Sequence, residues 1–238
     1  MLDAGCGSGF SASVIFKDYL NKINYLGLDI SNAVDVAQQR FEELGLKGEF
    51  LQSDLLNIPF DEPVFDVIFS EGVLHHTESV EESIKYLSRF LVKDGYFMFY
   101  VYAKKGPIRE FCDDYIRKSL EDQTDQEAWN TLMPLTMLGK TLGDLNQEID
   151  IPEAVPLLGI PAGRINIQRL FYWYIFKTYY RPDYSIEEMN HINFDWYRPL
   201  NCHRHTPDEI TKWCIEAGLT IENIKVEEAG ISVIARKE

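Results

Sequence analysis

Short apolar runs alternate with helical stretches over residues 1–102, and this alternation constrains the fold more than any other feature. The runs are rich in β-branched or aromatic residues, as buried parallel strands are. They cover residues 25–30, 64–70 and 96–102. Ser31 is placed to cap the helix that follows the first run, and Gly45 stands where that helix should end. The pattern predicts an α/β fold with a mostly parallel sheet and helices on both faces.

The rest of the chain predicts an insertion and a return to the sheet. Residues 103–206 carry several helix starts, scattered prolines and no convincing strand, which predicts a large helical insertion after the fifth strand. Residues 207–238 begin as a helix and end in two closely spaced strand-like runs, 220–226 and 231–235. Such spacing predicts an antiparallel hairpin at the sheet edge. We expect a core of residues 1–102 and 207–238, with the insertion as a lid that shapes a site.

A glycine-rich turn follows the first predicted strand, in the segment LDAGCGSG of residues 2–9. Glycines are needed where backbone approaches a ligand closely. The spacing is G-x-G-x-G, with Phe10 where a dinucleotide fingerprint has its third glycine, and Asp3 sets a carboxylate at the mouth of the turn. A carboxylate disfavours a pyrophosphate and favours a cation. S-adenosylmethionine fits this requirement, since it carries a sulfonium and an ammonium but no phosphate.

Two further acids follow the next predicted strands. Asp29 ends the segment GLD, where a carboxylate can accept both ribose hydroxyls of an adenosine. Asp54 follows the strand after it and can accept from an adenine amino group. Each acid alone is typical of a helix cap or a solvated loop. Together with Asp3 and the glycine turn, they favour an adenosyl cofactor.

The segments LDAGCGSG, GLDIS, SDLLNIPF and FDVIFSEGVLHHT together resemble the class I S-adenosylmethionine-dependent methyltransferases, in the group of UbiE-like and small-molecule enzymes. The resemblance covers residues 1–102 and, more weakly, the final hairpin. It implies a Rossmann-like sheet, S-adenosylmethionine as the cofactor and S-adenosylhomocysteine as the product. The cofactor residues it implies are Asp3, Gly5, Gly7 and Gly9 around the methionine moiety, Asp29 with Ile30 at the ribose, Asp54 with Leu55 at the adenine, and Glu71 beside the methyl donor.

This sequence departs from the family pattern at two places. Only Met1 and Leu2 precede Asp3, so we expect a shortened first strand or a truncated form of a longer protein. The family also tends to have two glycines before its fifth strand, where this chain has Asp94 and Gly95. One glycine still provides the turn.

Four histidines are candidate catalytic residues. Methyl transfer mainly requires alignment and exclusion of water, and a general base is needed only when the acceptor carries a proton. The candidates are His75 and His76 after the fourth strand, and His203 and His205 where the insertion rejoins the core. The structural alternative for the first pair is helix packing or capping, and for the second pair hydrogen bonding beside the cap Thr206. The spacing of the second pair can bind a metal, but no cysteine or carboxylate cluster accompanies it, so no metal is predicted.

Aromatic residues are dense between 171 and 197, where eleven occur. Part of this set has helical spacing and is typical of a core, and the surplus is available to the core domain, a second subunit or an apolar acceptor. A homodimer through the aromatic-rich insertion is one of these alternatives. The candidate acceptor contacts are Tyr102, Trp196, Tyr197 and Arg198.

Charge and composition narrow the function. The formal net charge of −15 disfavours nucleic acid as a partner. No apolar run of about 18 residues is present to span a membrane, no secretory signal opens the chain, and the four cysteines lack metal-binding spacing, so we expect reduced thiols in the cytoplasm. The predicted function is methyl transfer to an O, N or C atom of a small-molecule acceptor. The alternatives are a cofactor-binding or inactive scaffold subunit, and methylation of a macromolecule such as tRNA or protein.

Overall fold

The computed structural model describes residues 1–238, which divide into two compact units: unit 1, residues 1–103 with 203–238, and unit 2, residues 104–202. The strands are β1 (Leu2–Ala4), β2 (Leu26–Asp29), β3 (Glu49–Gln52), β4 (Phe65–Glu71), β5 (Leu91–Tyr102), β6 (Glu148–Ile151), β7 (Gly163–Asn166), β8 (Leu219–Val226) and β9 (Gly230–Lys237). The helices are α1 (Phe10–Ile15), α2 (Lys17–Leu20), α3 (Ala33–Glu43), α4 (Val80–Leu87), α5 (Pro107–Leu120), α6 (Asp125–Asp144), α7 (Ile167–Tyr174), α8 (Ile186–Tyr197) and α9 (Pro207–Glu216). Three short 3-10 helices cover Leu74–His76, Ser88–Phe90 and Pro156–Leu158.

Unit 1 is built on one seven-stranded sheet with the order β3-β2-β1-β4-β5-β9-β8. The first five strands in this order are parallel, and β9 and β8 form an antiparallel hairpin against β5. The predicted α/β class, parallel sheet and edge hairpin are confirmed. The strand order reverses at β1, which lies between β2 and β4, and the carboxyl ends of strands open a crevice at such a switch point.

The core of unit 1 forms because apolar side chains recur at the periods of its strands and helices. In α4, Ser79 caps the helix by accepting from the Glu82 backbone N–H, and Val80, Ile84 and Leu87 then fall on one buried face. They join one apolar cluster with strand residues such as Ile68. Each such side chain contributes about 1.5–3 kcal/mol when fully buried.

The backbone at Asp94 and Gly95, which lie inside β5, explains why a single glycine suffices there. A Cβ on Gly95 would lie 2.9 Å from the Val92 carbonyl oxygen and 3.0 Å from that of Asp66. Asp94 takes the left-handed conformation, with φ of 62°, and its carboxylate pairs with Arg236. Aspartate tolerates this conformation better than most residues do. β5 begins at Leu91, earlier than the predicted 96, because it pairs with β4 through a register irregularity.

Unit 2 is mostly helical but contains a two-stranded antiparallel sheet of β6 and β7. The expectation of no strand in the insertion was therefore wrong at these residues. The alternation Glu148-Ile149-Asp150-Ile151 has the period of a half-buried strand, although the prolines that follow it obscure the signal.

The interior of unit 2 is organised around one buried carboxylate. Asp113 is 1% exposed and forms an ion pair with Arg109, which is equally buried, at 2.6 Å. The Trp196 indole N–H donates to Asp113 at 2.9 Å, the Tyr197 hydroxyl at 2.8 Å and the Lys177 backbone N–H at 3.2 Å. Four donors from α5, α8 and the segment between α7 and α8 therefore converge on one side chain.

No helix of the chain combines the length and hydropathy that a membrane span requires.

Candidate active site

A cavity of about 320 Å³ opens in unit 1 at the carboxyl ends of β1, β2 and β4, where the strand order reverses. It is lined by Asp3, Gly5, Cys6, Gly7, Ser8, Phe10, Ser11, Asp29, Phe69, Glu71, Gly72 and Val73. Its wall therefore combines the glycine turn with acids from three neighbouring strands. This is the place where open α/β sheets bind nucleotide-like ligands.

The glycine turn has a backbone that other residues would distort. Gly5, Gly7 and Gly9 all have positive φ, of 90°, 49° and 70°. A Cβ on Gly5 would also collide with the Val73 side chain across the cavity. The Gly5 and Cys6 N–H groups donate to the Leu28 carbonyl at 2.7 and 2.9 Å, which fixes the turn against β2. The turn is thereby held open for the close approach of a ligand.

Asp29 connects the turn to the end of β2. Its Oδ2 accepts from the Gly7 N–H at 2.9 Å, and its Oδ1 accepts from the backbone N–H and hydroxyl of Ser31 at 2.9 and 2.7 Å. A carboxylate offers about four acceptor sites, so acceptor capacity remains on Oδ2. The side chain is only partly buried and lines the cavity. Asp29 can therefore accept further hydrogen bonds from ligand hydroxyls.

Asp3 is a buried acid without a cationic partner. It is 3% exposed, and its one hydrogen bond comes from the Tyr25 hydroxyl at 2.6 Å. Burial raises the pKa of Asp3 to about 7, since the Tyr25 hydrogen bond opposes the shift only in part and Glu71 and Asp29 add repulsion. A positively charged group in the cavity would favour the ionised carboxylate. The chemistry of this side chain therefore fits a cationic ligand.

Cys6 lies in the turn but is not a nucleophile. Burial, with the nearby acids Asp3 and Asp29, raises the pKa of its thiol to about 12. The thiol therefore stays protonated, and the thiolate that nucleophilic chemistry requires is not formed near neutral pH. Gly27 leaves room for Cys6, because a Cβ on Gly27 would lie 3.0 Å from the Cys6 sulfur.

Several residues implied by the resemblance do not line this cavity. Gly9 is buried at the start of α1, Ile30 is 70% exposed, and Leu55 belongs to the apolar core. Asp54 is exposed, and one of its oxygens accepts from the Leu56 N–H in its own loop. The roles of these four residues in cofactor binding stay predictions. Sequence reasoning gave no role to the lining residues Ser8, Phe10, Ser11 and Phe69. The first three lie within or beside the glycine turn, which was the available signal.

The four candidate histidines come together in unit 1, and we call them, with Tyr102, the histidine cluster. The His75 ring stacks on Tyr102 with 3.6 Å between centroids and contacts His76 at 4.3 Å. The rings of His203 and His205 are 6.1 Å apart. Two backbone hydrogen bonds hold the segments together: the His203 N–H donates to the His75 carbonyl and the His205 N–H to the Tyr102 carbonyl, both at 2.9 Å. The 3-10 helix that carries His75 and His76 directly follows Glu71, Gly72 and Val73, which line the cavity.

His75 is the most buried member of the cluster. It has no exposed surface, and neither ring nitrogen has a hydrogen-bond partner. Burial, reinforced by His76, His205 and His203, lowers the pKa of His75 to about 2. The imidazole is therefore neutral at any ordinary pH and is a weak base. No set of three or more histidine, cysteine or acidic side chains in the chain is arranged to hold a metal ion.

The predicted acceptor contacts in the insertion are used within unit 2. Trp196 and Tyr197 are 4% and 1% exposed and donate to Asp113. Arg198 donates to the Asp125 carboxylate at 2.8 Å and to the Gln123 carbonyl at 3.1 Å. These contacts give all three side chains a structural role. Their contact with an acceptor stays a prediction.

Comparison with known proteins agrees with this geometry. A family described as a methyltransferase domain matches residues 2–99. Probable tRNA methyltransferase 9B of Bos taurus is 34% identical over 113 residues, which make up 46% of this chain and 22% of that protein. Phthiotriol/phenolphthiotriol dimycocerosates methyltransferase of Mycobacterium tuberculosis is 30% identical over 113 residues, 47% of this chain and 40% of that protein. The chain thus spans less than half the length of these curated relatives.

Structural similarity extends over the whole chain. The crystal structure of an S-adenosylmethionine-dependent methyltransferase from Mesorhizobium loti superposes with a TM-score of 0.57 at 16% identity, and the alignment covers 99% of this chain and 90% of that one. At this identity the similarity establishes the fold. The family match identifies residues 2–99 as a methyltransferase domain, and this segment contains the glycine turn, Asp29 and Glu71 of the cavity.

Proposed function

We propose that this protein transfers the methyl group of S-adenosylmethionine to a small-molecule acceptor. The observation that carries the proposal is the pairing, in one cavity, of a glycine turn with a buried carboxylate that lacks a cation, Asp3. The ammonium and sulfonium of the cofactor would supply the missing positive charge. Asp29 would accept from the ribose hydroxyls, and Glu71 would lie beside the methyl donor.

The chain's own residues would contribute mainly alignment. The bound cofactor supplies a methyl group on a positively charged sulfur, which departs as a neutral thioether. The transfer requires the acceptor atom to lie in line with the breaking bond, in a site that excludes water. Gly72 and Val73 line the cofactor cavity and directly precede the 3-10 helix that carries His75 and His76, and we infer from this that an acceptor held at the histidine cluster would lie on the methyl side. His76, His203 and His205 are the proposed bases, since the low pKa of His75 makes it a poor one.

A macromolecular acceptor is the second candidate, because one set of relatives is named as tRNA methyltransferases. The net charge of −15 opposes it, since phosphate backbones are repelled by an acidic surface. A scaffold that binds the cofactor without transferring its methyl group is the third candidate. The lid role of unit 2, the homodimer and the cytoplasmic location stay predictions.

One assay separates these candidates. The protein is incubated with methyl-labelled S-adenosylmethionine and, in parallel, with total metabolite, tRNA and protein fractions, each with the Asp29→Ala variant as the matched control. We expect label in the metabolite fraction with the wild type only. Label in tRNA or protein would replace the small-molecule proposal. Cofactor binding without transfer to any fraction would support the scaffold.

A further inference from the structure

We propose that the imidazoles of His75 and His203 form a subsite that hydrogen-bonds a neutral hydroxyl of the acceptor, an alcohol or a phenol. The inference rests on the proposed methyl transfer and names the acceptor class for it. It starts from buried polar atoms. Both ring nitrogens of His75 and the Nε2 of His203 are buried and have no hydrogen-bond partner.

Buried polar atoms without a hydrogen-bond partner destabilise a folded protein. A buried polar group without a partner loses its hydrogen bonds to water and gains none in return, so folded proteins contain few of them. The stack of His75 on Tyr102 uses the faces of the two rings and leaves the ring nitrogens, which lie in the plane of the imidazole, without a partner. The unpartnered nitrogens therefore point to a polar group that occupies the cluster at some stage of the reaction cycle.

The protonation state of His75 determines which kind of polar group fits. A neutral imidazole presents one N–H donor and one nitrogen acceptor. A hydroxyl likewise donates once and accepts, so it can satisfy a nitrogen of either kind. A carboxylate or phosphate would be buried without a counter-charge, because the low pKa of His75 keeps its ring uncharged. An ammonium group would need a carboxylate partner, but the titratable neighbours that act on His75 are the other three histidines, and the carboxylate of Glu209 lies 3.8 Å from Nδ1 of His205.

The position of the cluster agrees with an acceptor site. The 3-10 helix Leu74–His76 follows directly on Glu71, Gly72 and Val73, which line the cofactor cavity. The segment that carries His203 and His205 is fixed to this helix and to the end of β5 by backbone hydrogen bonds, so the imidazoles are held by three separate parts of unit 1. A hydroxyl bound here would lie next to the methyl side of the cavity.

The test uses histidine-labelled full-length protein with S-adenosylhomocysteine bound, observed through its imidazole ¹⁵N resonances. Four probes are titrated to equal concentrations: phenol, cyclohexanol, benzoate and butylammonium. We expect saturable shifts at His75 and His203 with phenol or cyclohexanol, and the stronger of the two identifies a phenolic or an aliphatic acceptor. Absence of a shift with both hydroxyl probes would overturn the proposal and indicate that a trapped water satisfies the nitrogens. Equal shifts with benzoate or butylammonium would overturn the hydroxyl assignment.

The His75→Phe variant tests whether the nitrogens serve binding or packing. The variant keeps the ring stack and removes two unpartnered polar atoms, so its melting temperature should equal or exceed that of the wild type. The affinity for the hydroxyl probe, read at His203, should fall on the order of tenfold, while the affinity for S-adenosylhomocysteine is unchanged. The matched control is His191→Phe, because His191 is exposed on α8 in unit 2 and should leave all three readouts as they are. A lower melting temperature with unchanged probe affinity would show a purely structural role.

The experiment distinguishes failure of the proposed function from failure of the subsite proposal. If the wild type does not bind S-adenosylhomocysteine, the methyltransferase proposal is contradicted. The hydroxyl probes can still be titrated in that case, because the imidazole resonances are observable without the cofactor. A wild type that binds the cofactor but not the hydroxyl probes would contradict the subsite alone.

Discussion

Two buried carboxylates, Asp113 in unit 2 and Asp3 in unit 1, are almost equally hidden from solvent and yet differ in their partners. Asp113 receives four hydrogen bonds, one of them from the fully buried guanidinium of Arg109. Asp3 receives one, from the uncharged hydroxyl of Tyr25, and faces a cavity. The protein's own hydrogen-bond donors thus offset the cost of burying the carboxylate of Asp113, whereas at Asp3 they offset that cost only in part. We infer from the uncompensated burial that Asp3 belongs to a binding site, whereas the complete set of hydrogen-bond partners around Asp113 is typical of a core.

The largest expected effect comes from replacing Asp113, the carboxylate with the full set of partners. Asp113→Ala leaves the Arg109 guanidinium buried without its counter-charge, so unit 2 should lose about 3–5 kcal/mol of stability. Denaturant unfolding monitored by tryptophan fluorescence measures the loss. Asp113→Asn keeps the side-chain volume and part of the hydrogen bonding, so its stability should lie between that of Asp113→Ala and that of the wild type. A loss below about 1 kcal/mol for Asp113→Ala would contradict the structural role.

The same type of substitution at Asp3 should affect binding and spare stability. Asp3→Asn can still accept from Tyr25 but removes the negative charge, so affinity for S-adenosylmethionine should fall about 10–100-fold, as for a charge-assisted hydrogen bond worth about 1.5–3 kcal/mol. Calorimetric titration measures the affinity. Unchanged cofactor affinity, or a stability loss comparable with that of Asp113→Ala, would remove the distinction between the two carboxylates.

The raised pKa of Asp3 makes both stability and binding depend on pH, in opposite directions. Because the pKa lies near 7 in the folded protein and at 3.8 when unperturbed, ionisation of Asp3 removes stability from the ligand-free protein as pH rises between these values. A cationic ligand favours the ionised form, so cofactor affinity should rise with pH, by up to about tenfold per unit below pH 7, and then level off. Titrations between pH 5.5 and about 8.5 test this. The profile should be flat in Asp3→Asn, and a flat wild-type profile would disprove the assignment.

The smallest expected effect concerns the acids around Asp3. Glu71 adds repulsion that helps to raise the pKa of Asp3, but it is exposed to solvent, so its influence is modest. Glu71→Gln should move the midpoint of the binding profile to lower pH by a fraction of a unit. Glu78→Gln, an exposed acid outside the cavity lining, is the matched control and should leave the midpoint in place. A shift toward higher pH in Glu71→Gln would contradict the electrostatic account.

The features that could be predicted from the sequence are those that depend on short, local residue patterns. The glycine turn, the acid at the end of β2 and the edge hairpin each lie within a few consecutive residues, and period and spacing are enough to identify them. The hairpin of β6 and β7 was missed, since its four-residue strands are short and adjoin prolines. Local signals of that length compete poorly with breaker residues.

The chemistry of the site depends on contacts that no local pattern contains. Asp3 meets Tyr25 only because β1 and β2 are neighbours in the sheet, and the partner determines how much of the burial is compensated. His75 meets His203 only because a segment 128 residues later (203 against 75) returns to the end of β5. The sequence named these histidines as candidates, whereas the neutrality of His75 follows from burial that only the folded structure reveals.

We propose that the cavity at the ends of β1, β2 and β4 binds an adenosyl sulfonium and not a phosphate-bearing nucleotide. Calorimetric titration of the wild type and Asp29→Ala with S-adenosylmethionine, NAD⁺ and ATP distinguishes these two ligand classes. We expect saturable binding of S-adenosylmethionine to the wild type, a large loss of that binding in Asp29→Ala, and no binding of either phosphate compound. Tighter binding of NAD⁺ or ATP, or equal affinity of both proteins for S-adenosylmethionine, would contradict the account.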